Sequence, residues 1–316
     1  MKNDNQRIYE LIILGAGPAG AAAGIYAARK KINTLIITEN FGGQAVVAAT
    51  IENIVGFKKI SGIEMARLFE EQLRFQSDLD IVIEHIEKVK EDKDFFAIET
   101  SKNVYFGQNL LIALGRRYRK LNLLKEKELE GKGIFYCSTC DAPLLKNKSA
   151  AVIGGGNSAL LSVIDLIPFA SKIYLLTDKP FLRGDPILQE RIKNEKKIEI
   201  IYNTQILEII GEQVVSGLKF KNRQTNEEKT IEASGIFIQI GMQANSELVK
   251  NLVNLNEAGE IIVQPLSGKT SHPKIWAAGD ITDLPYKQIS VAIGDGVRAL
   301  LDIYNKIREI KNKEFI

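Results

Sequence analysis

Two cysteines three positions apart are the residues whose types and spacing point most directly to chemistry. Cys137 and Cys140, in the stretch FYCSTCDA, are the only cysteines in the 316-residue sequence. A structural zinc site needs about four ligands, and the two histidines, His85 and His272, stand far away in the sequence, so no metal site is predicted. The spacing is typical of a redox dithiol, whose sulfurs can close on each other reversibly. Two inert core thiols are the alternative.

The length and composition are those of an ordinary globular protein with two modules. Of the 316 residues, 45% are hydrophobic and 26% are charged, and the formal net charge is +3. This balance argues against a disordered chain and against an overall field that attracts nucleic acid. The run RRYRK at 116–120 is locally basic, and we interpret it as a solvated connecting segment. No nucleic-acid partner is expected.

One uncharged stretch, Leu11–Ala28, is long enough to raise the question of a membrane span or a signal peptide. Glycines and a proline interrupt it, and Lys2 and Arg7 are offset by Asp4 and Glu10, so no positive leader region precedes it. We therefore predict no membrane association and a cytoplasmic location. In that reducing compartment, retained cysteines are more often catalytic than structural.

The first half of the chain carries a dinucleotide-binding fingerprint in its full context. The segment YELIILGAGPAGAAAGIYAARKKINTLIITEN predicts a strand, a glycine turn, an Ala-rich helix and a second strand. Its G-x-G-x-x-G consists of Gly15, Gly17 and Gly20, and Glu39 ends the second strand. The glycines let the backbone approach a pyrophosphate at the helix N-terminus, and the acid can accept from ribose hydroxyls.

The same pattern returns in SAAVIGGGNSALLSVIDLIPFASKIYLLTDK. Here the fingerprint is the variant G-x-G-x-x-A, formed by Gly154, Gly156 and Ala159, and Asp178 follows the second predicted strand. We predict a second dinucleotide site at this position. The alternative is a strand and helix that kept their glycines without binding a nucleotide.

Each fingerprint is followed by a short run of predicted strands. Within 80–112 they are IVIEHIEKV, DFFAIET and VYFGQNLLIAL, and within 198–240 they are IEIIYN, QILEII, VVSGLKFKN and KTIEASGIFIQI. The repetition indicates an internal duplication. Two dinucleotide sites and one dithiol in a single chain suggest that electrons pass from nicotinamide to flavin to disulfide.

Eight motifs in order resemble those of the low-molecular-weight thioredoxin reductases and of the flavoprotein reductase component of the alkyl hydroperoxide reductase system. They are GAGPAG at 15–20, GGQ at 42–44, IEN at 51–53, ALG at 113–115, CSTCD at 137–141, GGGNSA at 154–159, AAGD at 277–280 and YKQI at 286–289. The resemblance runs nearly end to end. Late segments are similar to the peroxide-system reductase, without the thioredoxin-like modules that precede its first glycine motif.

The resemblance implies FAD as the flavin and NADH or NADPH as the donor, and it assigns a set of residues to each. Those implied for FAD are Gly15, Gly17, Gly20, Glu39, Gly43, Gln44, Asn53, the backbone near Ile86, Gly279, Asp280, Gln288 and Ile289. Those implied for the nicotinamide dinucleotide are Gly154, Gly156, Asn157, Ser158 and Asp178.

The resemblance also assigns roles within the dithiol. It implies that Cys140 lies nearest the flavin, that Cys137 attacks the disulfide of a carrier, and that Asp141 donates the proton. No histidine lies near the cysteines in sequence, so a carboxylate is also the nearest acid by position. A helix-capping role is the alternative for Asp141. Rotation of the central domain would occur at 113–122 and 240–247, with Gly115 and Gly241 as permissive points.

The sequence departs from the family pattern mainly in its nicotinamide half. Where NADPH-specific members carry a His-Arg-Arg run, this chain has Thr177, Asp178 and Lys179. An aspartate repels a 2′-phosphate and accepts from a free 2′-hydroxyl, so we expect NADH to be preferred over NADPH. Arg183 remains near the last arginine of the family and can make that preference incomplete.

A further departure is Leu161, where the family usually has glutamate. It leaves open a different hypothesis, in which the flavin receives its electrons from ferredoxin or a deazaflavin and not from a nicotinamide. A flavin-bearing redox sensor without turnover is a third possibility. A ferredoxin:NAD(P) oxidoreductase-like protein is disfavoured, because relatives of that kind lack the cysteine pair.

The fold expected from these patterns is α/β, with two doubly wound, Rossmann-like domains of three layers, one inserted in the other. We predict a split FAD domain at 1–116 and 245–316, and a pyridine-nucleotide domain carrying the CxxC at 117–244. The resemblance further implies a homodimer and a thioredoxin-like or glutaredoxin-like carrier protein as partner.

Overall fold

Two parts of the chain fold as separate units in the computed structural model, which describes residues 7–48 and 51–314. One unit comprises the chain up to Arg117 together with the chain from Gln243 onward, and the other is Tyr118–Met242. The second unit is therefore inserted in the sequence of the first.

The first unit begins with a βαβ arrangement followed by a meander. Its elements are β1 (Ile8–Ala16), α1 (Pro18–Arg29), β2 (Thr34–Phe41), α2 (Gly62–Arg74), β3 (Leu79–Ile83), β4 (Ile86–Asp92), β5 (Phe95–Thr100) and β6 (Val104–Ile112), and the short β7 (Arg116–Tyr118) begins in this unit and ends in the inserted one. The apolar run Leu11–Leu14 of β1 is buried on both faces, as expected for a central parallel strand. A 3₁₀ turn at Gly43–Val47 follows β2.

The inserted unit repeats this plan. Its elements are β8 (Ile134–Phe135), α3 (Ser138–Asp141), β9 (Ser149–Ile153), α4 (Asn157–Leu166), β10 (Lys172–Leu176), α5 (Pro186–Lys193), β11 (Ile198–Ile201), β12 (Thr204–Gly211), β13 (Val215–Asn222), β14 (Glu228–Glu232) and β15 (Gly235–Ile238). A hydrophobic core lies between its parallel sheet and α4, which contributes the fully buried Leu160 and Val163.

The chain returns to the first unit within β16 (Met242–Ala244) and completes it with β17 (Ile275–Ala277) and α6 (Ile289–Glu314). The last helix packs against α1 so closely that a Cβ on Gly296 would lie 2.1 Å from the carbonyl oxygen of Ala19. Trp276 on β17 is fully buried, and its indole nitrogen donates to Asp302 at 2.8 Å.

The order of the parallel strands is similar in the two units. In the first unit the order is β3-β2-β1-β6-β5-β4, and β17 pairs with the end of β6. In the inserted unit the parallel order is β11-β10-β9-β15-β8, and β12-β13-β14 form a separate antiparallel sheet. The pairings of β1 with β2 and β6, and of β9 with β10 and β15, are parallel. The predicted α/β class with two Rossmann-like units is confirmed.

Two of the predicted strands were wrong in extent. The segment IVIEHIEKV is divided at Glu84 and His85, because β3 pairs with β2 whereas β4 pairs with β5. The segment KTIEASGIFIQI is divided at Ala233 and Ser234, where the chain leaves the antiparallel sheet and joins the parallel one. In both places, a single run of alternating apolar residues forms two strands that pair with different neighbours.

The apolar stretch that raised the question of a membrane span forms β1, the first glycine turn and most of α1. Across residues 7–48 and 51–314, the structure contains no helix with the length and apolar character that crossing a bilayer requires.

Candidate active site

The first glycine turn joins β1 to α1, and its glycines serve different purposes. Gly15 has φ +99°, and a Cβ there would lie 2.5 Å from the carbonyl oxygen of Ala113 at the end of β6. A Cβ on Gly20 would lie 1.9 Å from the carbonyl oxygen of Gly15. The fold therefore has no room for a side chain at Gly15 or Gly20.

Gly17 differs, because the protein itself leaves space beside it. Its φ of −70° and ψ of −173° suit any residue, and the nearest atom to a Cβ there would be the Cα of Gly43, at 3.8 Å. No side chain caps the N-terminus of α1. The uncapped amides and the missing side chains at Gly17 and Gly43 form a cradle that fits a pyrophosphate.

The other residues assigned to FAD from the sequence lie around the same unit. Glu39 is near the end of β2, and its carboxylate contacts Nδ1 of His85 at 2.6 Å, beside Ile86 at the start of β4. Asn53 donates to the side-chain oxygen of Gln288 at 3.2 Å, although 235 positions separate them in the sequence. The pairing of His85 with this acid was not predicted from the sequence.

A partly buried charged cluster surrounds Asp280, which follows Gly279 in a 3₁₀ turn after β17. The guanidinium of Arg116 donates to the backbone oxygen of Asp280 at 2.9 Å and is ion-paired with Glu260. Lys287 lies 3.5 Å from the same glutamate. Burial raises the pKa of Asp280 and lowers the pKa of Lys287. Gln288 and Ile289 follow Lys287 at the start of α6.

The first unit also has a cavity of about 670 Å³ beside the GGQ segment. Gly43 and Gln44 line it, together with Phe41 and, from α2, Ile63 and Arg67. Its volume lies within the range of roughly 300 to 1,000 Å³ that small-molecule sites occupy. The helix α2 was not included in the predicted site.

The second glycine turn, between β9 and α4, repeats the division of roles. A Cβ on Gly154, which has φ +142°, would lie 2.2 Å from the backbone oxygen of Gln239 at the end of β15. At Gly156, with ordinary φ of −97°, a Cβ would meet no heavy atom within 4 Å. No side chain caps α4. This turn therefore also leaves its second glycine open to a ligand.

The loop after β10 closes beside that turn. The amides of Arg183 and Gly184 donate to the backbone oxygen of Gly155, and Asn157 and Asp185 exchange two hydrogen bonds of 2.7 and 2.9 Å. Asn157 and Ser158 are exposed at the start of α4.

Asp178 lies between two cations of its own loop. Its carboxylate is 3.6 Å from the ammonium group of Lys179 and 3.8 Å from the guanidinium of Arg183. All three side chains are exposed by 40% or more, at 42%, 48% and 56% for the aspartate, lysine and arginine. Both cations therefore lie near the carboxylate that the sequence assigned to the ribose.

The dithiol lies in the inserted unit at the single helical turn α3. The sulfur atoms of Cys137 and Cys140 are 2.8 Å apart, and neither forms a disulfide. Cys137 is half-buried, whereas Cys140 is exposed. Burial raises the pKa of the Cys137 thiol, the side chains of Cys140 and Asp141 raise it further, and a hydrogen bond with the backbone of Cys140 opposes them. The Cys137 thiol therefore holds its proton firmly.

Asp141 directly follows the second cysteine and ends α3. The backbone amide of Asp141 donates to the carbonyl oxygen of Cys137 at 3.2 Å, but its side chain makes no capping hydrogen bond to the 3₁₀ turn that follows. Burial raises the pKa of the Asp141 carboxyl above its ordinary range. A carboxyl of this kind can hold and release a proton nearer neutral pH.

Two groups near the dithiol were missed in the sequence. Tyr118 stacks on Tyr136 with ring centroids 5.7 Å apart, and the hydroxyl of Tyr136 donates to the buried Glu126 at 2.7 Å. Burial, followed by the charges of the two thiols, raises the pKa of Tyr118. The other missed group is Asp165 on α4, which accepts from the residues between the cysteines. Spacing along the chain gives no signal for either.

Comparison with known proteins agrees with this geometry. Residues 9–296 match the family model described as "Pyridine nucleotide-disulphide oxidoreductase". A protein named NADH dehydrogenase from Bacillus subtilis (strain 168) is 38% identical over 298 residues, which are 94% of this chain and 58% of that protein. The chain thus spans less than two thirds of the length of that relative.

Two thioredoxin reductases match over nearly their whole length. That of Ureaplasma parvum serovar 3 is 37% identical over 299 residues, which are 94% of this chain and 96% of that protein. The crystal structure of the Lactococcus lactis enzyme has a TM-score of 0.83 at 32% identity and covers 95% of this chain and 99% of its own.

The two roles of the glycines can be separated by substitution. Gly15→Ala should destabilise the apoprotein by about 2 kcal/mol or more, because φ is positive and a backbone oxygen occupies the space. Gly17→Ala should change that stability by no more than about 0.5 kcal/mol, yet weaken FAD binding roughly tenfold by filling the cradle. Denaturant unfolding of apoprotein and fluorescence titration with FAD measure the two effects. Equal FAD affinity in Gly17→Ala and the unsubstituted protein would contradict the assignment.

The raised pKa of Cys137 makes an independent prediction. Because the thiolate is the nucleophile, the reduced thiol should react with iodoacetamide at pH 7 at least about tenfold more slowly than a cysteine in an unstructured peptide. The rate should still increase with pH above about 9, since a buried thiol ionises late. Mass spectrometry of peptides from anaerobically alkylated protein gives the rate at Cys137 alone. Protein unfolded in guanidinium is the control, and a plateau below pH 8 would show that burial does not govern this thiol.

Proposed function

The chain belongs to the pyridine nucleotide-disulphide oxidoreductase family, and from this premise we propose that it is an FAD-dependent protein-disulfide reductase. Electrons pass from a reduced donor to the flavin, then to the Cys137/Cys140 pair, and finally to a thioredoxin-like carrier. The observation that carries the proposal is the adjacent pair of sulfurs, 2.8 Å apart on a partly exposed turn, in a chain with two glycine turns open to dinucleotides. Full-length similarity to thioredoxin reductases supports it.

The first unit supplies the proposed FAD site. Gly15, Gly17 and Gly20 place the amides of α1 at the pyrophosphate, Glu39 accepts from the ribose, and Asp280 with the start of α6 holds the flavin end. FAD, when bound there, supplies a centre that accepts and donates electron pairs. The cradle at Gly17 and Gly43 is the feature of this chain that fits the group.

The dithiol carries out the exchange with the carrier. One cysteine, as thiolate, attacks a sulfur of the carrier disulfide and forms a mixed disulfide, and the departing carrier sulfur takes a proton. The second cysteine then attacks the first, which closes the Cys137–Cys140 bond and releases the carrier dithiol. Asp141 supplies and receives protons at these sulfurs, a role suited to a carboxyl whose pKa is raised by burial.

The resemblance assigns the attack to Cys137, although Cys140 is the more exposed residue in this structure. A change in the accessibility of the turn during the cycle reconciles the two. Gly115 and Gly241 are proposed as the permissive points of the connecting segments. Both have positive φ, of 62° and 96°, and a Cβ placed on either would meet no heavy atom within 4 Å. Rotation of the inserted unit on these segments is part of the proposal.

The proposed donor is NADH. Asp178 can accept from a free 2′-hydroxyl, and its two neighbouring cations lie 3.6 and 3.8 Å from its carboxylate. A 2′-phosphate at the same place would meet the negative charge of that carboxylate. Leu161, 47% exposed on α4, places an apolar group where relatives have a carboxylate, and it favours ferredoxin or a deazaflavin as the second candidate donor. A homodimer and a cytoplasmic location remain predictions from the sequence.

Trapping tests both the reaction and the order of the cysteines. With a bacterial thioredoxin whose attacking cysteine is activated by thionitrobenzoate, Cys140→Ser should form a stable mixed disulfide through Cys137, and both single variants should lose at least about 99% of turnover because each step needs two sulfurs. Gel mobility and peptide mass identify the bond. Trapping by Cys137→Ser alone would reverse the assignment, and a flavin and dithiol that can be reduced, but with no sustained reduction of the carrier, would support a sensor.

The donor is tested by anaerobic titration of the holoprotein, following the flavin absorbance. NADH should bleach the flavin faster than NADPH, and Asp178→Ala should shift the ratio of their kcat/KM values about tenfold toward NADPH, since one charge contact is worth about 1.4 kcal/mol. Glu199→Gln, which breaks an exposed ion pair with Lys172 in the same unit, is the matched control. Bleaching by reduced ferredoxin or deazaflavin and by neither nicotinamide would refute the choice of donor.

A further inference from the structure

A carboxylate outside the predicted site holds the turn that carries the dithiol. One oxygen of Asp165, Oδ2, accepts from the hydroxyl of Ser138 at 2.8 Å and from the hydroxyl of Thr139 at 3.2 Å. These are the two residues between Cys137 and Cys140. All five residues belong to the inserted unit, so the contact joins two of its helices, α3 and α4.

The turn is too short to keep its shape alone. The helix α3 has 4 residues, and the cysteine at its N-cap makes no side-chain capping bond. A single turn bears the cost of nucleation without the gain of propagation, so its geometry depends on contacts to other elements. Ser138 is 7% exposed, and its hydroxyl therefore needs a partner inside the protein. Asp165 provides that partner.

The place of Asp165 in α4 is unfavourable for a carboxylate. It stands in the last turn of the helix Asn157–Leu166, where the helix dipole is negative and a basic residue is preferred. Aspartate is also a weak helix former. Two hydroxyl donors offset these costs, because hydrogen bonds to a charged acceptor are stronger than those between neutral groups. The presence of an aspartate at this position is therefore better explained by its bonds to the dithiol turn than by the stability of α4.

We propose that Asp165 is a positioning residue that sets the redox equilibrium of the Cys137/Cys140 pair. The inference rests on the proposed function, in which the pair cycles between dithiol and disulfide. Closing the bond releases two electrons and two protons, which reduce the carrier disulfide to a dithiol. A disulfide orders the turn by itself, so in that state the bonds to Asp165 form without a further loss of chain entropy. In the dithiol state the same bonds must also order the turn, and their net contribution is smaller. Asp165 therefore stabilises the disulfide more than the dithiol and makes the pair a stronger reductant.

The test measures the midpoint potential of the pair in the full-length holoprotein, equilibrated in dithiothreitol redox buffers and analysed by alkylation and mass. Asp165→Ala should shift the dithiol–disulfide equilibrium about tenfold toward the dithiol, which is ~30 mV less negative. Asp165→Asn keeps an accepting oxygen and should shift it less. The double variant Ser138→Ala/Thr139→Val should reproduce the alanine shift, and adding Asp165→Ala to it should change little, because the three residues act through the same bonds.

Two variants of the same unit serve as controls. Ser216→Ala removes a hydroxyl that donates to the backbone oxygen of Ile210, and Glu199→Gln removes a carboxylate paired with Lys172. Neither should move the potential. If Asp165→Ala lowers the melting temperature but leaves the potential at the control value, the residue is only structural and the inference is wrong. If that variant does not fold, the hydroxyl double variant decides by the same criterion.

The outcome is separable from failure of the proposed function. The potential in dithiothreitol buffers needs neither a donor nor a carrier. An unsubstituted protein that exchanges no electrons between flavin, dithiol and thioredoxin would refute the reductase activity. A working reductase whose potential is indifferent to Asp165, Ser138 and Thr139 would refute the inference alone.

Discussion

Both units depend on one constraint, a backbone contact that leaves no room for a side chain. In each, the first glycine of the turn lies against the end of a neighbouring strand, with Gly15 facing Ala113 and Gly154 facing Gln239. The contact holds the carboxyl ends of two parallel strands together and directs the following helix across that edge. The helix N-terminus then points outward, and the second glycine leaves its amides accessible. An uncapped helix N-terminus with space beside it thus follows from a packing requirement.

Local pattern was sufficient for those parts of the fold that are determined by local packing. The glycine turns, their strands and their helices could be predicted, because the hydrophobic periodicity, the glycines of the turn and the acidic residue all lie within about 30 residues of sequence. The meanders were less predictable. Alternation indicates which face of a strand is buried but not which strand it pairs with, so the breaks at Glu84 and at Ala233 were not visible.

The site was predictable to the extent that its residues belong to motifs. The contact of Asp165 with the dithiol turn, and that of His85 with Glu39, join elements whose proximity depends on the completed fold. The basic run at 116–120 shows the same limit. Its charges look available in the sequence, yet Arg116 pairs with Glu260, Arg117 with Glu247 and Lys120 with Glu130. Partners 10 to 144 positions away give no signal along the chain.

Helix α4 connects the second glycine turn with the dithiol turn in the inserted unit. Its first turn is the open end proposed for the donor, and its last turn holds the carboxylate that anchors the dithiol, roughly 12 Å away at a rise of about 1.5 Å per residue. Its buried face, with Leu160 and Val163, packs in the core of the unit and fixes both ends relative to the parallel sheet. The short turn α3 could not keep two sulfurs adjacent by itself. A rigid neighbour with a hydrogen-bond acceptor can, and in the turn that it holds, Thr139 and Cys140 stay exposed.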